Sequence, residues 1–242
     1  MNNDKIFKAL IWREFIEGKR LLLMIIFPAI CIMFVPFISI YSIFNSLTDI
    51  EITTNNTINS LKSFYAVNQM FFIALMIIPF ISISFFARMF VERNEKTIAV
   101  LMAMQIKPQT LWKAKVFMAS CFSGAVYIVC CVIYIAGINV GFGVSMNFSI
   151  RDALGVFVVS PIVGFTLAVF IALLHWVVKN SELITILAMA ISVCGIWSLS
   201  SKLQNMVITF PVIAIVLLVS IAVFLICVKI VSKIPNEYTA NL

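Results

Sequence analysis

The chain has 242 residues, of which 63% are hydrophobic and only 11% charged, with a mean hydropathy of +1.12 and a formal net charge of +7. A soluble globular domain carries an apolar share nearer half, so this composition excludes one and points to a chain built for a bilayer. In such a chain a basic excess reports on topology and gives no reason to invoke nucleic acid.

Residues 1–20 precede any long apolar run. Ile6, Phe7, Leu10, Ile11, Phe15 and Ile16 recur at helical spacing, with Lys5, Lys8, Arg13, Glu14 and Glu17 between them and Trp12 at the border. The pattern predicts an amphipathic helix lying in the membrane interface, with Phe7, Leu10, Ile11, Trp12 and Phe15 against membrane lipid and the basic residues toward headgroups.

Residues 21–242 then carry six stretches that can cross a bilayer: Leu21–Phe44, Ala66–Phe90, Val116–Ile138, Ala153–Val178, Leu183–Leu199 and Val207–Val231. A spanning helix needs about 20 residues, and the fifth stretch is the shortest. The first exceeds the apolar region of a signal peptide and has no small-residue cleavage site after it, so it reads as a retained span. Continuous apolar runs do not fit the alternation of a barrel, and backbone groups cannot go unpaired in lipid. The expected fold is therefore all-α, a polytopic membrane protein of six transmembrane helices preceded by the interfacial helix. Asn45–Ser63 and Asn139–Asp152 read as polar loops, and Pro28, Pro36, Pro79 and Pro161 fall inside spans, where each removes a backbone hydrogen bond.

The basic residues are sorted by side. Five lie in the amino-terminal segment, six between Arg88 and Lys115, and Lys179, Lys229 and Lys233 share that face, which leaves only Lys62, Arg151 and Lys202 opposite. The positive-inside rule then places both termini in the cytoplasm of a multi-pass cell-membrane protein. The six cysteines all lie in apolar runs, with no C-x-x-C pair, and read as small apolar residues.

Several chemistries are missing. No Asp, Glu, Lys or Arg falls in the middle of a span, so a self-contained proton relay is not expected. His175 is the single histidine and reads as an interfacial or hydrogen-bonded helix residue rather than a proton carrier, and no metal-ligand spacing occurs. Gly18-Lys19 has no glycine five residues earlier, so there is no Walker-type loop. The chain is expected not to be an enzyme and to hold no cofactor of its own. Energy for uphill movement would have to come from another polypeptide.

The longest charged stretch, residues 91–115, joins the second and third spans. Thr97 can cap a short helix there, Ile98, Leu101 and Met102 fall on one face of it, and Pro108 ends it. Glu92 and Glu95 are expected as an exposed acidic pair, with the apolar face free for a partner.

Glu92, Arg93 and Glu95, followed by Thr97-Ile98, Leu101, Pro108 and Lys115, resemble the loop between the second and third spans in permease subunits of type-2 ABC exporters. That family typically reads Glu-x-Glu-x-Gly-Thr-Leu-Glu-x-Leu, then a Pro-Ser turn and a Gly-Lys. Here Lys96 and Ala114 stand at the two glycine positions. The layout resembles the family too, although its outer re-entrant element would be reduced to about Ser200–Met206. The resemblance implies a permease paired with a second permease subunit and two ABC ATP-binding subunits, with ATP and Mg bound in those partners. Glu92, Arg93, Glu95, Thr97, Ile98, Leu101, Met102, Pro108 and Lys115 would form the coupling surface on which the ATPase docks. The implied activity is export of an amphipathic or hydrophobic cargo, such as a peptide, from the cytoplasm. The rival reading is a non-transporting membrane immunity or sensing protein that binds a peptide or a partner protein.

Overall fold

The computed structural model describes residues 3–48, 55–103, 106–146, 148–178, 183, 186, 187, 190 and 209–234. Its elements are helices, with no strand among the described residues: α1 (Asn3–Thr48), α2 (Asn55–Asn94), α3 (Thr97–Ala103), α4 (Pro108–Phe142), α5 (Ile150–Leu154), a π-helical turn (Gly155–Val159), α6 (Ser160–Val177) and α7 (Phe210–Lys233).

Among the described residues, five helical stretches are long and apolar enough to cross a membrane: Ala29–Ser46, Asn59–Met89, Pro108–Phe142, Ile150–Val177 and Phe210–Lys233. They correspond to the expected spans one, two, three, four and six. The expected fifth span, Leu183–Leu199, lies outside the described residues apart from four helical positions, and the Ser200–Met206 segment lies outside them entirely.

The amino-terminal segment differs from expectation. Residues 3–20 are not a separate helix but the first part of α1, one helix of 46 residues. No proline interrupts the sequence between residues 17 and 22, and the helix runs through Gly18, a residue that often ends helices, because the Lys, Arg and Leu that follow are good helix formers. At 1.5 Å per residue the helix is about 70 Å long, far more than the roughly 30 Å of hydrocarbon. Its inner face is also not against lipid. Leu10 is 4% exposed and joins the protein's own core, with Phe7 and Ile11 packed at its edge. Trp12 and Phe15 do face outward.

The polar loops are shorter than expected. α2 already begins at Asn55, because Ser63, Ala66 and Val67 pack inward and the helix that carries them extends back through the Asn-rich segment. At the other loop α4 continues to Phe142 and stops at Gly143, whose φ of 64° gives the left-handed cap that ends helices without a steric cost. Ser149 and Asp152 then form a capping box that starts α5.

Packing follows from the apolar faces. α2 is the central helix, enclosed by α1, α4 and α6, whereas α7 leans mainly on α6. A Cβ added at Gly164 would lie 3.2 Å from the Ala74 carbonyl oxygen and 3.2 Å from Ile78 Cβ. α6 therefore approaches the α2 backbone as closely as it does because residue 164 has no side chain. Two apolar clusters result. One fills the middle of the bundle around Met70, Ile77 and Tyr134, and the other lies toward the hairpin around Phe86, Trp112 and Trp176.

Candidate functional site: a hairpin seated on a buried ion cluster

The hairpin begins where α2 ends. Glu95 and Lys96 form a turn, and Lys96 has a φ of 58°. This left-handed conformation is unfavourable for a side-chain-bearing residue and costless for glycine. Thr97 is the first residue of α3, and after Ala103 the chain reaches Lys107, extended at ψ 135°, with Pro108 at the first position of α4. Proline suits that position, since its missing amide would have no helical partner there.

The seven residues of α3 lie against their own chain. Ile98 is 1% exposed, Met102 and Pro108 are buried, and Leu101 is partly buried against the same cluster of Phe86, Leu111 and Trp112. The expected docking face is thus covered, because the end of the bundle offers apolar side chains that the helix would otherwise leave in water. What remains outward is an edge of Glu95, Lys96, Val100, Ala103 and Lys107. Thr97 is intermediate, and the side chain of Arg93 lies outside the described set.

Glu92 and Lys115 are also not where an exposed coupling surface would need them. Glu92 is 2% exposed and Lys115 is 6% exposed. The Lys115 ammonium lies 2.8 Å and 2.9 Å from the two oxygens of Glu92 and 2.8 Å from Glu14 Oε1. Arg13 reaches Glu92 at 3.4 Å and Glu17 at 3.1 Å, and Arg88 Nη2 lies 2.6 Å from Glu17. Three carboxylates and three cations from α1, α2 and α4 thus form one formally neutral cluster. A buried charge is tolerated when it is paired and costly when a partner is lost, so the expected acidic pair separates into a buried Glu92 and an exposed Glu95. The carboxylates of Glu14, Glu17 and Glu92 lie close enough together to share a metal ion, but each already has a cation of the chain against it.

Sequence reasoning missed Arg13, Glu14, Glu17 and Arg88 as partners of the hairpin. A signal was present: Glu14 and Glu17 interrupt the apolar face of an otherwise basic segment, and Arg88 precedes Glu92 by one helical turn. Beside the cluster the helices come close. A Cβ at Gly18 would lie 2.6 Å from the Phe122 ring and 2.9 Å from Phe85, and Phe122 stacks on both Phe15 and Phe85.

His175 is fully buried, with Nδ1 2.9 Å from the Ile171 carbonyl, in keeping with a hydrogen-bonded helix residue. The five described cysteines are free thiols. A lateral groove of about 250 Å³ opens between α6 and α7, lined by Phe165, Val169, Leu217 and Phe224 among others. No protein-family model, no curated protein and no solved structure matches this chain.

Proposed function

We propose that this chain is the permease subunit of an ATP-driven exporter, with the outward edge of α3 as the surface on which a separate ATP-binding subunit acts. The observation that carries this reading is the seating of α3. It is a short helix held by buried apolar contacts against the end of the bundle, and the Lys115 ion cluster ties together the parts of α1, α2 and α4 beside which it sits. A load applied to Val100 and Lys107 is passed to three membrane helices rather than absorbed in a loose loop. Lys96 adds independent support, since its backbone has the glycine-like conformation at the position where the resembling family has glycine.

The reading requires two ATP-binding subunits carrying ATP and Mg, and a second permease subunit of the same or a related kind. Closure of the ATPases shifts the permease only if they bind the hairpin differently before and after closure. Both termini and α3 face the cytoplasm in this scheme. An amphipathic or hydrophobic cargo suits the apolar groove beside α6 better than a sugar or an ion does.

Purification in mild detergent followed by mass spectrometry tests the reading. A nucleotide-binding subunit is expected in stoichiometric yield, and Val100→Asp is expected to reduce it while leaving this chain monodisperse. Recovery of the chain with a peptide or a sensor kinase and no ATPase would favour the immunity or sensing role. ATP hydrolysis by a preparation containing only this chain would overturn the proposal.

A further inference from the structure

In the spans, hydroxyl side chains satisfy themselves locally. Ser39, Ser82, Ser84 and Ser220 each donate to the carbonyl four residues earlier, at distances from 2.7 to 3.3 Å. This back-bonding is the ordinary fate of a hydroxyl inside a membrane helix. Ser160 departs from it. Its side chain is fully buried and its Oγ has no hydrogen-bond partner. The carbonyl four residues earlier belongs to Val156, and it accepts the Tyr127 hydroxyl at 2.9 Å instead.

The cause lies in the π-helical turn and in Pro161. Within Gly155–Val159 the hydrogen bonds run from each carbonyl to the amide five residues on, and the Ser160 amide donates to Gly155. In that register the Val156 carbonyl would look to residue 161, which is proline and has no amide hydrogen. Tyr127, reaching across from α4, supplies the missing donor. In an ordinary α-helical register both the Ser160 amide and the Ser160 hydroxyl would turn to the Val156 carbonyl, and the carbonyl facing Pro161 would be that of Phe157. Pro161 thus leaves one carbonyl without an amide in either register. The two arrangements differ by an exchange of donors on Val156.

We propose that Gly155–Pro161 is a two-state hinge in which Tyr127 and Ser160 compete for the Val156 carbonyl. In the state described here Tyr127 holds it and the π-turn is present. In the second state Ser160 takes it, Tyr127 is released, and the turn becomes α-helical. Removing one residue of bulge turns α5 by about 100° and moves it about 1.5 Å relative to α6. The two sides of the hinge are unequal. α6 is pinned by the close approach of Gly164 to α2 and by the 2.7 Å hydrogen bond from Thr166 to Ser220 of α7. α5 has no buried residue, so it is the part that moves. Single π-turns inside α-helices are frequent at functional sites. The inference concerns the chain alone and holds whether or not it transports.

Spin labels at Val140, at the outer end of α4, and at Arg151, on α5, read the hinge in a cysteine-free background. Both residues are exposed. Tyr127→Phe removes one competitor and is expected to raise the ratio of the second distance to the first about fivefold, the effect of one hydrogen bond of ordinary net strength. Ser160→Ala is expected to lower it by a similar factor, and Ser160→Thr, which keeps the hydroxyl, to leave it near the wild-type value. Equal distributions in the wild type and in a folded Tyr127→Phe protein overturn the proposal, as does a shift of Tyr127→Phe and Ser160→Ala in the same direction. Should Tyr127→Phe not fold, Ser160→Ala decides with the same pair of labels: the ratio of the second distance to the first is expected to fall about fivefold, again the effect of one hydrogen bond, and an unchanged distribution overturns the hinge.

Discussion

Lys115 and Glu92 stand 23 residues apart in the chain, yet the ammonium lies 2.8 Å from a carboxylate oxygen, with side chains only 5% and 3% exposed. Their contact closes the hairpin at its base, and Glu14 draws α1 into the same contact.

Removing the shared cation should therefore be costly. Lys115→Met leaves two carboxylates facing each other in a buried site and is expected to destabilise the protein by about 3–5 kcal/mol. Lys115→Met combined with Glu14→Gln restores neutrality and is expected to recover part of that loss. Thermal unfolding in detergent measures both, and a double variant no better than the single would show that charge balance is not what holds the site.

Lys96 offers a gain. Its φ of 58° is a left-handed conformation that costs an ordinary residue about 1 kcal/mol or somewhat more. Lys96→Gly is expected to stabilise the protein by an amount of that order, seen as a higher unfolding temperature. A fall in stability would mean that the turn is not left-handed in the membrane.

Two neighbours on α3 should separate fold from partner. Leu101 packs partly into the cluster around Trp112, whereas Val100 is 57% exposed. Leu101→Asp buries an unpaired charge and is expected to lower the stability of this chain by itself. Val100→Asp is expected to leave stability within about 0.5 kcal/mol, as surface changes usually do, and to weaken only the association with an ATP-binding subunit. Equal behaviour of the two in unfolding experiments would contradict the seating of α3.

Gly18 is a steric test of how α1 lies. A methyl group there meets the Phe122 ring at 2.6 Å, and overpacking of this kind typically costs about 1–3 kcal/mol. Gly18→Ala should be destabilising, and Phe122→Leu in the same chain should relieve it. A neutral Gly18→Ala would place the amino-terminal part of α1 away from α2 and α4.

The sidedness of charge gives a labelling pattern. Single cysteines at Glu95 and Arg151, both exposed, should react differently with an impermeant thiol reagent in intact cells: position 151 labels and position 95 does not. The reverse would invert the proposed orientation.

Composition and the lengths of apolar runs were enough to read an all-helical chain with several membrane-crossing helices, because hydrocarbon thickness and the need to satisfy backbone groups leave few alternatives. A short helix close to Thr97 and a break before Pro108 were equally legible, since both depend on local backbone chemistry, although Thr97 opens α3 rather than capping it and Pro108 starts α4. Local pattern could not reveal which of two apolar surfaces a face would meet. Leu10 and Ile98 look the same in sequence whether they face lipid, a partner or their own bundle, and only the packing of α1, α3 and α4 decided that they are core. The ion cluster was hidden for the same reason. Its members come from three helices, Glu14 and Lys115 lie 101 residues apart, and a charge near the end of a span looks solvated until the fold brings its counter-charge to it. Tyr127 and Val156 are likewise joined only by tertiary contact. Periodicity determined which residues share a helix face, and the folded bundle determined what each face touches.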